Sequence, residues 1–206
     1  MNFSSIPNDD IINNTIEAVA SRGIKVELVN NKVEALEKLK TLIPAGATVM
    51  TAGSATLREI GFDDILIKGE QNWRNFKGEL LAEKDIAKQL KMRKEATLCD
   101  YFIGSVHGIA ETGEIVIASA TGSQIPSYAY SSTNVIWIAG AQKITPTLES
   151  AIQRTREYTL PLEDKRIKDA GNTKGSYIGK LLIFERETPF LRRKVTLILV
   201  KEVLGF

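Results

Sequence analysis

Residues 134–139, Asn-Val-Ile-Trp-Ile-Ala, form an apolar run with almost no alternation. A strand that is apolar on both sides needs cover on both faces, which is the situation of a strand inside a parallel sheet. Most of the chain reads as strands separated by helices. Residues 10–21 predict a helix and Lys25–Val29 a short strand. Asn31 is placed to cap a helix that carries Leu36, Leu39 and Ile43 at i, i+3, i+7 spacing. The turn Pro44-Ala45-Gly46 leads to a strand at Ala47–Thr51, and a helix over Ser54–Ile60 ends at Gly61. Ala82, Ile86 and Leu90 predict one further helix, and Leu98–Gly104 a strand. Residues 106–118 alternate well enough for a β-hairpin. Thr145-Pro146 predicts a helix start, with Leu148, Ala151 and Ile152 facing inward. Residues 161–180 are the least regular segment and predict a loop with a short helix. The pattern is α/β, with a mostly parallel sheet covered by helices on both faces. The hairpin and the late strand Val195–Val200 predict some antiparallel pairing.

At 206 residues and 43% apolar content, the expectation is one domain over 1–206, with a helical lead-in over about 1–30. No apolar run is long enough to span a bilayer, and the polar start MNFSSIPNDD does not resemble a secretory signal. The single cysteine, Cys99, excludes an internal disulfide and a cluster ligated by this chain alone, and a reducing cytoplasm is the expected setting. Cys99 reads as a buried thiol, and the single histidine, His107, as a packed or surface residue. No metal, flavin or other cofactor is expected. The net charge of +2 divides unevenly: from Lys165 onward ten basic residues face four acidic ones, giving +6 there and −4 elsewhere. A solvated surface is the expected meaning, because few aromatics interleave with those charges. An anionic partner is the alternative.

Three segments are candidates for chemistry. In TAGSATLREIG (51–61), Thr51, Gly53 and Ser54 sit where a strand enters a helix, with Arg58 one turn on. Such a junction either caps the helix or holds an anion. In SATGSQIP (119–126), Thr121, Gly122 and Ser123 make a second small turn after a strand, either an ordinary polar loop or a second wall of the same site. Ligands in α/β sheets sit beyond the carboxyl ends of strands, so two such turns can converge. The third is Glu111-Thr112-Gly113, which is either the turn of the hairpin or a carboxylate presented to a pocket. GNTKGSYIGK (171–180) fails the phosphate-loop spacing and reads as a flexible loop.

The ordered set of TAGSATLREIG, CDYFIGSVHGIAETGEIV (99–116), SATGSQIP and NVIWIAGAQKI (134–144) resembles the LUD-domain, or lactate-utilisation, family. The ending LVKEVLGF is similar to that of some members, and the matching segments cover most of residues 33–160. The resemblance implies the three-layer α/β fold shared by CoA transferases, ribose-5-phosphate isomerase and glucosamine-6-phosphate deaminase. It implies a role in L-lactate oxidation beside an iron–sulfur subunit and a second redox partner. This chain is similar to the stand-alone members without clusters. The His-Gly-Pro segment of the best-known lactate subunits is replaced here by GSYIGKLLIFER (175–186). Glu111-Thr112-Gly113 looks like the Glu-x-Gly turn from which a glutamate attacks acyl-CoA in family I CoA transferases.

The leading expectation is therefore a protein that binds a small anionic metabolite near Gly53, Ser54, Glu111 and Gly122, works with redox partner subunits, and is compatible with a homo-oligomer. The alternatives are a self-sufficient enzyme for acyl-CoA or sugar phosphates with catalytic Glu111, and a module that binds nucleic acid or an acidic protein, the least favoured.

Overall fold

The computed structural model describes residues 2–206. In its first half, helix α1 (Asp9–Ser21) leads to β1 (Lys25–Val29), α2 (Lys32–Leu42) and β2 (Thr48–Thr51). Then come α3 (Ala55–Glu59), α4 (Phe62–Lys68), β3 (Arg74–Asn75), α5 (Phe76–Ala82), α6 (Ile86–Glu95) and β4 (Tyr101–Gly104). The second half holds β5 (Gly108–Ala110), β6 (Ile115–Ser119), β7 (Asn134–Gly140), β8 (Ile144–Thr145), α7 (Leu148–Arg154), α8 (Leu160–Asp169), β9 (Lys180–Phe184) and β10 (Lys194–Val200). Two π-turns, Ser127–Ser131 and Thr155–Thr159, interrupt the second half.

Six strands form a parallel sheet in the order β1-β10-β7-β4-β2-β3, and β8-β5-β6-β9 form a second, smaller sheet. Alternation along the strands divides the large sheet into two cores. Val135, Trp137, Val195, Leu197 and Leu199 face α1 and the small sheet, where they meet Ile12, Val19, Ile109, Ile115 and Ile117. Ile136, Ile138, Ile198 and Val200 face the other way, onto Leu39 of α2, Leu57 of α3 and Phe62 of α4. The fold is thus three-layer α/β, as the apolar run at 134–139 predicts.

Several expectations are corrected. β10 pairs in parallel with both β1 and β7 and lies between them, so its continuous apolar run marks full burial and not an antiparallel return. The predicted helix through Ala82, Ile86 and Leu90 is two helices. Glu83 is extended and Asp85 caps α6, accepting from Lys88 N at 3.0 Å. Ile86 and Leu90 point to solvent. Thr147, not Thr145, caps α7, accepting from Ser150 N at 3.2 Å, while Thr145 pairs in β8. Ala96–Leu98 is a 3-10 turn ahead of β4. Within the irregular segment, α8 is ten residues long.

The aromatic stack beneath the strand ends fixes local geometry. Tyr128 lies edge-on to Phe102 at 5.3 Å and to Trp137 at 5.6 Å. Its hydroxyl sits against Gly104. A Cβ on Gly104 would overlap that hydroxyl, and the caged ring has no room to withdraw. Gly104→Ala is therefore expected to destabilise the fold by about 1–3 kcal/mol, the usual cost of overpacking. Urea unfolding of the variant checks this, and an unchanged midpoint would contradict the packing described.

Candidate functional site

A cavity of about 440 Å³ opens beyond the carboxyl ends of β2, β4 and β7. The first wall is the β2–α3 connection, Thr51 to Thr56. The second is the Ser119–Gln124 turn with His107. The third comprises Lys77 and Leu80 of α5 and Arg93 of α6. The fourth is Thr155 and Thr159 of the π-turn with Glu163 and Arg166 of α8. Ser176, Tyr177 and Ile178 also line it, which gives the Gly-rich stretch 171–180 a place as a cavity wall.

Both small turns singled out in the sequence reach this cavity: Thr51, Gly53 and Ser54 on one side, Thr121 and Ser123 on the other. They come from different sheets. Part of their polar capacity is engaged within the turns. Ser54 Oγ accepts from Leu57 N at 3.2 Å, a capping bond on a helix of only five residues. Gly122 N donates to Ser119 Oγ at 2.8 Å and Ser123 N to Thr121 Oγ1 at 3.3 Å. Gly122, at φ +87°, shapes the turn and is not among the lining residues.

Four predicted site residues lie away from the cavity. Arg58 points to solvent. Glu111, Thr112 and Gly113 form the three-residue turn of the hairpin, since Ala110 N bonds to Glu114 O at 2.9 Å. Gly113, at φ +99°, packs against Ala18 of α1, where a Cβ would meet backbone at 2.7 Å. Arg22 fastens this turn: its Nε donates to Thr112 O at 2.9 Å, and it pairs with Glu114 at 2.5 Å. The connection between β5 and β6 is thereby tied to the end of α1, and Glu111 is not part of the cavity wall.

The residue that the sequence reading passed over is Lys143. It follows β7 on the short turn Ala141–Lys143, and its side chain is only 2% exposed. Its Nζ donates to Ser105 Oγ at 3.0 Å and to Thr56 Oγ1 at 3.1 Å. Ser105 Oγ in turn donates to Thr56 Oγ1 at 3.2 Å. No carboxylate pairs with this amine among the described residues. Burial, joined by the Arg154 charge and opposed by Glu59, pushes its pKa down to about 7. In NVIWIAGAQKI it is the only charged residue, and its position just past a buried strand does not by itself separate a buried amine from a solvated one.

His107 and Arg154 belong to the same neighbourhood. His107 Nδ1 accepts from Ala118 N at 3.1 Å, so its proton sits on Nε2. Burial first, then the charges of Lys143 and Arg154, push its pKa down to about 3, and it stays neutral. Arg154 is fully buried and donates to His107 O at 2.5 Å and Thr159 Oγ1 at 3.0 Å. Its guanidinium lies 5.1 Å from the centre of the Tyr158 ring. Cys99 is outside the cavity, and burial pushes its thiol up to about 11, which leaves it unreactive at neutral pH. Among the described residues there is no cluster of three His, Cys, Asp or Glu side chains arranged to hold a metal, and no helix is long and apolar enough to cross a membrane.

Comparison with known proteins agrees with the layout. The LUD-domain family model matches residues 12–176. The crystal structure of a DUF162 family protein from Deinococcus radiodurans aligns with a TM-score of 0.52, at 10% identity, covering 95% of this chain and 99% of that one. No curated protein matches the sequence. The chain belongs to the LUD-domain family.

The buried amine generates a pH prediction. An unfolded lysine holds its proton to about 10.5, whereas folded Lys143 releases it near 7. Between those values the unfolded state binds more protons, so this residue makes stability rise with pH across the window. Urea midpoints of the wild type and Lys143→Met are expected to diverge, with the wild type gaining on the variant from pH 7 to 10. Parallel pH profiles would contradict the burial of an unpaired amine.

Proposed function

We propose, on the premise that the chain belongs to the LUD-domain family, that it binds and processes a small anionic organic acid in the cavity at the ends of β2, β4 and β7. The observation that carries this reading is the unpaired Lys143 amine, held between Thr56 and Ser105 against that cavity. Three further cations line the walls. Lys77 donates to Thr51 Oγ1 at 2.9 Å and has Asp63 at 3.8 Å. Arg166 is neutralised by Glu163. Arg93 makes only a 3.4 Å hydrogen bond to Gln89 and has no acidic partner among the described residues, so it is open to a ligand carboxylate. Leu80, Phe102 and Val106 supply apolar wall beside these charges. A few fixed polar groups in a largely apolar hollow suit a small metabolite better than a polymer.

The family supports a place in lactate-type organic-acid metabolism. With one cysteine and one histidine in the sequence, an electron-transfer cluster would come from partner subunits. This reading uses Lys143 where the resemblance to CoA transferases pointed to Glu111, because Glu111 lies outside the cavity and Lys143 lines it.

Thermal-shift titration tests the reading. L-lactate, glycolate, pyruvate and sugar phosphates are compared with neutral alcohols of the same size. At least one anion is expected to stabilise the protein, by roughly 2.7 kcal/mol at 100 times its dissociation constant. Arg93→Ala is expected to weaken that binding about tenfold, roughly 1.4 kcal/mol. If no anion shifts the transition, or if Arg93→Ala binds like the wild type, the assignment of the cavity fails.

A further inference from the structure

We propose that Lys143 is a nucleophile that forms an imine with the carbonyl carbon of a 2-oxo acid bound in the cavity. This rests on the anion-binding reading above and adds the reacting atom and the substrate class.

The geometry isolates one amine from the other basic groups of the wall. Lys143 stands on the turn just after β7 and lines the cavity, and its hydrogen-bond partners are two hydroxyls. Hydroxyl partners hold the nitrogen in place without fixing a positive charge on it, as a carboxylate would. The charge of Arg154, itself buried, favours the neutral amine. Desolvation and a neighbouring cation are the two ways in which a lysine becomes nucleophilic at neutral pH. With a pKa of about 7, a large fraction of Lys143 is free amine at neutrality. For an ordinary surface lysine that fraction is on the order of one in several thousand.

The charges of the cavity wall point to a carboxylate on the same ligand. Thr51 at the start of the β2–α3 connection receives Lys77, and Thr56 five residues later receives Lys143. Arg93, the wall cation with no acidic partner among the described residues, lines the same cavity as Lys143. A ligand bridging them carries an anionic group close to an electrophilic carbon, which is the description of a 2-oxo acid. Leu80 and Phe102 leave an apolar surface for a short side chain.

In the reaction the Nζ lone pair forms the bond to carbon, and the π pair of the carbonyl moves onto oxygen. The two Nζ protons pass to that oxygen, which departs as water as the C=N bond forms. No electrons are gained or lost overall. Ser105 Oγ, 3.0 Å from Nζ, is placed to relay a proton to the departing oxygen.

Trapping with sodium borohydride tests the proposal. The full chain is incubated with pyruvate, L-lactate or dihydroxyacetone phosphate, reduced, digested and mapped by mass spectrometry. Pyruvate is expected to leave a reduced adduct on the peptide containing Lys143 and on no other lysine. L-lactate, which has no carbonyl, is expected to leave none while still raising the melting temperature. Lys143→Arg keeps a cation and is expected to give no adduct. Binding of pyruvate without any Lys143 adduct would overturn the imine and leave the anion-binding reading standing. Absence of both binding and adduct would overturn both. Trapping of dihydroxyacetone phosphate but not pyruvate would overturn the 2-oxo acid assignment, and labelling spread over surface lysines would remove Lys143 from the chemistry.

Discussion

A parallel sheet buried on both faces has nowhere to put polar chemistry except at its strand ends. In this chain that constraint is strict. β7 and β10 lie side by side with Trp137, Ile138, Leu197 and Ile198 all inaccessible to solvent, so neither face of the sheet centre can host a solvated group. Polar side chains just past the strand ends are brought together, and they follow β2, β4 and β7. Thr56, Ser105 and Lys143 meet because the strands that precede them are adjacent and parallel.

Burying the Lys143 amine costs stability, and the surrounding structure offsets that cost. Two hydroxyls satisfy it, the Tyr128 ring is wedged between Phe102 and Trp137, and the Leu204–Gly205 segment closes over Thr56. Gln142, beside the lysine, donates to Leu204 O at 2.8 Å. Buried lysines without a carboxylate are unfavourable unless something uses their altered protonation, which is why such groups cluster at functional sites. The hairpin turn at 111–113 is held differently: Arg22 at the end of α1 donates to Thr112 O and pairs with Glu114 beside the turn, and Gly113 packs against Ala18.

Much of the fold was legible because its signals are local. Asn31 caps α2 through Val33 N and Glu34 N, the strand at Lys25–Val29 has the predicted limits, and Gly61 takes the left-handed conformation expected after α3. The errors arose where tertiary context decides. β10 has the same composition whether its neighbours run parallel or antiparallel. The i, i+4 apolar spacing of Ile86 and Leu90 suggested a core stripe, yet both are exposed. The candidate site was half legible. Glycine and serine turns after strands mark strand ends, and two of them do meet at the cavity. Lys143 was not, because nothing in Gln-Lys-Ile distinguishes a buried amine from a solvated one. Burial depends on α3 and the β4 end, which lie 87 and 38 positions away in sequence at Thr56 and Ser105. Glu111, in contrast, carried a motif whose local geometry is satisfied without a ligand.

The chemistry of the cavity depends on the protonation of one nitrogen, Lys143 Nζ. A pH titration followed by heteronuclear NMR of lysine side chains labelled with carbon-13 at Cε reads it directly, with Lys143→Met assigning the resonance. The Lys143 signal is predicted to titrate near neutrality, at about 7, apart from the other lysines. A Lys143 signal that moves with the bulk of the lysines, near 10.5, would show a solvated or paired amine and contradict the account.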